Sequence, residues 1–162
     1  MEENRLLDAC RKTLSAILIA LALSAFSSCT LPRIAVLHDP LTPEEHINLG
    51  VSYEKKGELD AALEHYKAAS KELPVAYLYM GNVYFQKDEA DHAKKAYETA
   101  IRKAGDARAY NNLAWLYYTR GEHLEEAEKL AQKAVELSPD ANDFRDTLEK
   151  IIEKRSAASE RR

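Results

Sequence analysis

From residue 43 onward the chain repeats apolar positions every three to four residues, broken by short polar turns. Three stretches carry the pattern: "PEEHINLGVSYEKKGELDAALEHYKAASKEL", "PVAYLYMGNVYFQKDEADHAKKAYETAIRKAGD" and "ARAYNNLAWLYYTRGEHLEEAEKLAQKAVELSPDA". Each opens with one helical period, breaks and resumes with a second, which predicts helix pairs over 43–73, 74–106 and 107–141. Gly57 and Gly121 stand where a first helix should end, a place that favours a left-handed residue, and Asp88 takes it in the second pair. Pro74 must both stop one helix and open the next, an allowed first-turn position, and Pro139 closes the last pair. Residues 142–162 continue the period with Phe144, Leu148, Ile151 and Ile152. They predict a final helix with a charged outer face that caps the array, or one that docks a partner, followed by a solvated basic tail.

Set side by side, the stretches agree position by position. Gly50, Gly81 and Ala114 share one place and Ala62, Ala93 and Ala127 another. Tyr53, Tyr84 and Tyr117 share a third, and Tyr66 and Tyr97 answer to Ala131. Small residues on both helices let the two approach closely, and the tyrosines fill the volume around them. The pattern resembles the tetratricopeptide repeat, a helix–turn–helix unit of about 34 residues. The spacing from Gly50 to Gly81 is 31, so the first unit is short at its end, and the third gains a residue in "RGEHLEEA". The resemblance implies an all-α solenoid of three repeats over 43–141 plus the capping helix, preceded by an N-terminal signal or membrane helix.

It also implies a site. In the family the first helices line a concave groove that takes an extended peptide or a helix. Carried over, the groove positions are Ile47, Val51 and Glu54, then Leu78, Asn82 and Phe85, then Arg108, Asn111, Trp115 and Tyr118. Trp115 is the one tryptophan of the chain, and aromatics and arginine dominate binding energetics. Asn82 and Asn111 each offer a donor and an acceptor to a peptide amide. The same aromatics would otherwise cover the solenoid's own concavity, or cradle residues 33–37. Members that clamp a chaperone's C-terminal carboxylate want Lys and Asn where Ile47 and Val51 stand, and only Arg108 and Asn112 answer to that clamp, so a chaperone-tail adaptor is disfavoured.

The N-terminus adds an anchor. "MEENRLLDACRK" is polar and ends in a basic pair; the fourteen residues "TLSAILIALALSAF" are mostly apolar, and "SSC" follows. That is the layout of a secretory signal, although Glu2, Glu3 and Asp8 dilute its charged flank. "FSSC" resembles a bacterial lipobox, with Phe26 where Leu is usual. The resemblance implies that residues 1–28 are removed and that Cys29 carries a diacylglycerol and further acyl chain. Each buried methylene adds about 0.8 kcal/mol, and more than one chain holds firmly. An uncleaved anchor is the other reading, since 13–32 carries no charge and about 20 such residues span a bilayer; an N-terminal helix buried in the body is a third. Either anchored reading exports the body and leaves the basic pair inside. Thr30 stands where Asp would favour inner-membrane retention, so the resemblance leans to the outer membrane. Residues 29–42 then form the lipidated N-terminus and a linker; "TLPRIAVLHDPLT" would extend about 30–40 Å.

Composition narrows the function. With 31% charged and 46% apolar residues the chain suits a folded body, and a net charge of −4 disfavours nucleic acid as main partner. Of the two cysteines, Cys10 would leave with the signal, so Cys29 has no partner for an internal disulfide. Five scattered histidines, without a paired-ligand spacing, a serine elbow or a phosphate loop, point away from an enzyme, a metal and any cofactor beyond the lipid. The expected role is a membrane-anchored module, facing the periplasm of a bacterial envelope, that binds a protein segment and assembles or localises a complex. Architectural relatives act as pilotins and as adaptors. A structural subunit that associates through its solenoid ends is the alternative.

Overall fold

A computed structural model describes residues 40–160. The expected signal segment, Cys29 and residues 29–39 of the linker lie outside the described residues, as do the last two arginines. Seven helices and no strand occur among the described residues: α1 (Pro43–Lys55), α2 (Leu59–Ala69), α3 (Ala76–Gln86), α4 (Ala90–Ala104), α5 (Ala107–Arg120), α6 (Leu124–Leu137) and α7 (Asn142–Ser159).

Local chemistry sets the helix ends. Thr42 and Glu45 form a reciprocal capping box at α1, with Glu45 N donating to Thr42 Oγ1 at 3.2 Å and Thr42 N to Glu45 Oε2 at 2.7 Å. Gly57 and Asp88 turn the chain with φ of 77° and 58°. The extra residue of the third turn is absorbed by two left-handed residues, Gly121 at 70° and His123 at 50°, so α6 starts one residue later than its counterparts. Pro74 does not open α3 directly. A tight turn comes first, with Ala76 N donating to Leu73 O and Tyr77 N to Pro74 O, both at 3.1 Å, and the regular helix begins at Ala76.

Asp106 caps α5. Its carboxylate accepts from Arg108 N at 2.9 Å and from the Arg108 guanidinium at 3.0 and 2.6 Å. Burial pushes this carboxyl up, but the Arg108 side chain and backbone N–H outweigh it and hold it below its ordinary 3.8. A depressed carboxylate stabilises the folded state above the ordinary value, and the stability is lost as pH falls through the lowered one. Asp106→Ala should cost about 1 kcal/mol in urea unfolding at pH 7. The gap to wild type should close as the titration is repeated below about pH 3.8; an unchanged gap would mean the cap does not act through its charge.

Helices pair as α1 with α2, α3 with α4 and α5 with α6, and successive pairs stack through α2–α3 and α4–α5. Tyrosines answer the glycines: a Cβ on Gly50 would lie 2.6 Å from Tyr66 Cδ1, and one on Gly81 2.5 Å from Tyr97 Cδ1. Buried side chains form two clusters. Ala62, Leu63, Tyr66 and Val83 make the first, and a larger one runs from Leu78 through Tyr97 and Leu113 to Ile151. They part along α3, which gives Val83 to the first and Leu78 to the second, and Tyr84 touches both.

The final helix packs on α6 and α5. Phe144, Thr147 and Ile151 are its buried residues, with Leu148 partly covered, whereas Ile152 is 38% exposed. Phe144, Leu148 and Ile151 thus keep their expected places, and the stripe departs only in leaving Ile152 out and burying Thr147, whose hydroxyl bonds Asp143 O at 3.0 Å.

Candidate functional site

Helices α1, α3 and α5 each carry one face of polar and aromatic residues beside the core. Their meeting point is an open hollow of about 280 Å³ lined by Glu54, Asn82, Phe85, Gln86, Tyr97, Asn112 and Trp115. Two tyrosines from the second helices reach through from behind. Tyr66 donates its hydroxyl to Glu54 Oε2 at 2.7 Å, and Tyr97 donates to Asn82 Oδ1 at 3.1 Å. Burial pushes the Tyr66 hydroxyl well above its usual range, with the Glu54 carboxylate adding to the effect, and burial does the same to Tyr97. Both hydroxyls therefore remain donors at any physiological pH, and they fix the groups that face the hollow.

The rim is held across repeats. Asn112 Nδ2 donates to the same Asn82 oxygen at 2.8 Å, and Gln86 Nε2 donates to Glu54 Oε1. Trp115 stacks on Tyr118 with centroids 4.9 Å apart. The final helix reaches this end: Lys150 Nζ lies 5.7 Å from the Trp115 ring centre and Lys154 Nζ 4.6 Å from that of Tyr118. Lys154 also donates to Tyr118 O at 2.6 Å.

Of the residues read from the sequence, the hollow gathers Glu54, Asn82, Phe85 and Trp115. Ile47 and Val51 pack against the first cluster, and Tyr118 against the second. Leu78 is 3% exposed inside the larger cluster and offers no surface to a ligand, because its helix turns that side toward α4 and α5. Arg108 is half exposed and held by Asp106. Asn111 keeps its Oδ1 buried without a hydrogen-bond donor, so only its amide nitrogen is paired, with Asn112 Oδ1 at 3.4 Å. Gln86 and Tyr97 were missing from the expected groove. Gln86 lies one turn beyond Asn82, a spacing that was available, but the reach of the Tyr97 hydroxyl past Gly81 was not.

His46 at the start of α1 is buried, with its Nδ1 2.9 Å from His65 Nδ1. A larger open hollow of about 640 Å³ lies at the C-terminal end of the array, between the start of α6 and the end of α7.

Comparisons with known proteins agree on the architecture. Residues 43–74 and 78–142 match models of the tetratricopeptide repeat. No curated protein matches the chain at a significant level. Among solved structures, the first TPR of Spaghetti (RPAP3) bound to HSP90 peptide SRMEEVD is similar at 22% identity and a TM-score of 0.66, over 75% of this chain and 98% of that one. The Sgt2 TPR domain from Aspergillus fumigatus is similar at 15% identity and 0.68, over 73% and 82%. MamA is similar at 24% and 0.56, over 75% and 83%. At these identities the likeness carries the fold.

Proposed function

The chain carries tetratricopeptide repeats, and from that premise we propose that it is a non-catalytic, membrane-anchored module that binds a protein segment in its concave groove. In this reading it assembles or localises a bacterial cell-envelope complex in the manner of a pilotin or an adaptor. The observation that carries the binding reading is the hollow between α1, α3 and α5. It combines half-buried Phe85 and Trp115 with amides and a carboxylate that tyrosines hold in place. That a domain of this fold is bound to a short HSP90 peptide supports a peptide-sized occupant. A chaperone tail is a poor candidate, because Ile47 and Val51 are engaged in packing where a carboxylate clamp needs polar groups.

The anchor rests on "FSSC": Cys29 carries the lipid, the body faces the periplasm, and the outer membrane is favoured over the inner by Thr30. Cys29→Ser should abolish incorporation of an alkynyl fatty acid in growing cells, and persistent labelling would return the anchor to an uncleaved helix. For the groove, a photo-crosslinking amino acid at position 85 should trap a partner in those cells, and Trp115→Ala should lower the yield about tenfold. Trapping from position 152 and not from 85 would favour association through the solenoid end, where Ile152 is exposed.

A further inference from the structure

Glu54 faces the hollow with an unusual set of partners. Its two oxygens accept from the Tyr66 hydroxyl and the Gln86 amide, both neutral, and it forms no ion pair among the described residues. Neighbouring carboxylates are treated otherwise: Asp60 and Glu89 share Lys87, and Asp106 holds Arg108. A half-covered carboxylate met only by neutral donors leaves part of its charge uncompensated, at a cost that an incoming cation would remove.

The walls suit that cation. Phe85 and Trp115 present aromatic surface within the same 280 Å³, and Asn82 and Asn112 bring amide groups to the rim. Trp115 already has a cation beside it, the Lys150 ammonium 5.7 Å from its centre, so the ring is placed where positive charge is tolerated. A guanidinium pairs with the carboxylate and stacks on the aromatic surface at once, and Asn112 Oδ1, which takes only the 3.4 Å bond from Asn111, has room for a further donor; an ammonium uses the carboxylate and that oxygen. A carboxylate entering the hollow would meet Glu54 as a like charge.

Resting on the groove reading above, we infer that the hollow is a specificity pocket for a basic side chain of the bound segment, arginine before lysine, with Glu54 as its counter-ion. The partner is thus an extended segment with a basic residue at the position that crosses α3, and its chemistry is opposite to that of the acidic peptide SRMEEVD held by the Spaghetti domain.

The probe is a phage library of random twelve-residue peptides, panned against the full chain in detergent micelles and counter-screened on Trp115→Ala. Clones that lose binding to Trp115→Ala should share an arginine or lysine at one position. Synthetic copies of them should bind at least tenfold more weakly when that residue is replaced by norleucine, and likewise to Glu54→Gln. Glutamine keeps an oxygen for the Tyr66 hydroxyl, and an unchanged circular dichroism melt confirms that this variant is folded. Trp115-dependent clones that lack a shared basic residue, or that bind Glu54→Gln as well as wild type, would overturn the pocket while leaving the groove intact. If no clone depends on Trp115, the groove reading fails and the pocket falls with it.

Discussion

Replacing Ile151 by Ala should cost about 2–5 kcal/mol, concentrated in the third repeat and the cap. Ile151 is fully buried, the deepest contact of α7 with the larger cluster, and its loss leaves a void that helix ends cannot easily close. Two polar ties would remain, a hydrogen bond from Lys154 to Tyr118 O at 2.6 Å and an ion pair of Arg155 Nε with Glu128 at 2.8 Å, but each contributes only about 1 kcal/mol and neither fills the void. Because each repeat touches only its neighbours, the damage should stay local. Hydrogen exchange should quicken across α6 and α7 while α1 and α2 keep their protection. Equal loss of protection everywhere would mean that the array unfolds as one unit. As Lys150 leaves its place over Trp115, the emission of the single tryptophan should shift at the same urea concentration at which α7 unfolds.

The second large effect concerns the glycine–tyrosine pairs. Gly81→Ala should destabilise by about 1–3 kcal/mol, although alanine is the better helix former. The new Cβ would sit 2.5 Å from Tyr97 Cδ1, and the ring is held because it is 2% exposed and its hydroxyl bonds Asn82. Tyr97→Ala alone should cost about 3–5 kcal/mol through the cavity it leaves. The double variant should cost less than the sum, by about 0.5–3 kcal/mol, since each change relieves part of the other. The third repeat already uses that solution: fully buried Ala114 and Ala131 stand at the corresponding places. A double variant that costs the full sum in urea titrations would show that the glycine matters for something other than room for the ring.

Much of this was legible before any coordinate. The helix pairs followed from apolar spacing, the turns from Gly57, Asp88 and Gly121, and the close helix contacts from the small residues at matching places. Local propensity and periodicity dictate these features, so a linear reading reaches them. The groove was legible only in part. Phe85 and Trp115 lie where the repeat pattern placed them, but Leu78, assigned to the same face, is buried. Face assignment by spacing is accurate to about one helical position in 3.6, and at a boundary between core and groove one position decides burial. Thr147 and Ile152 in α7 exchanged roles for the same reason, with a side-chain hydrogen bond making the threonine the better buried residue.

By itself, the sequence determined the element order, the repeat architecture and the chemical types available along the first helices. Those depend on residues close in the chain. The tertiary structure decided which side chains converge: that Tyr66 reaches Glu54 twelve residues away, that Asn112 meets Asn82 across thirty, and that Lys150 and Lys154 of the last helix lie over aromatics of α5. Such meetings depend on how one pair of helices is rotated against the next, and that rotation is set by the packing of all the buried side chains together.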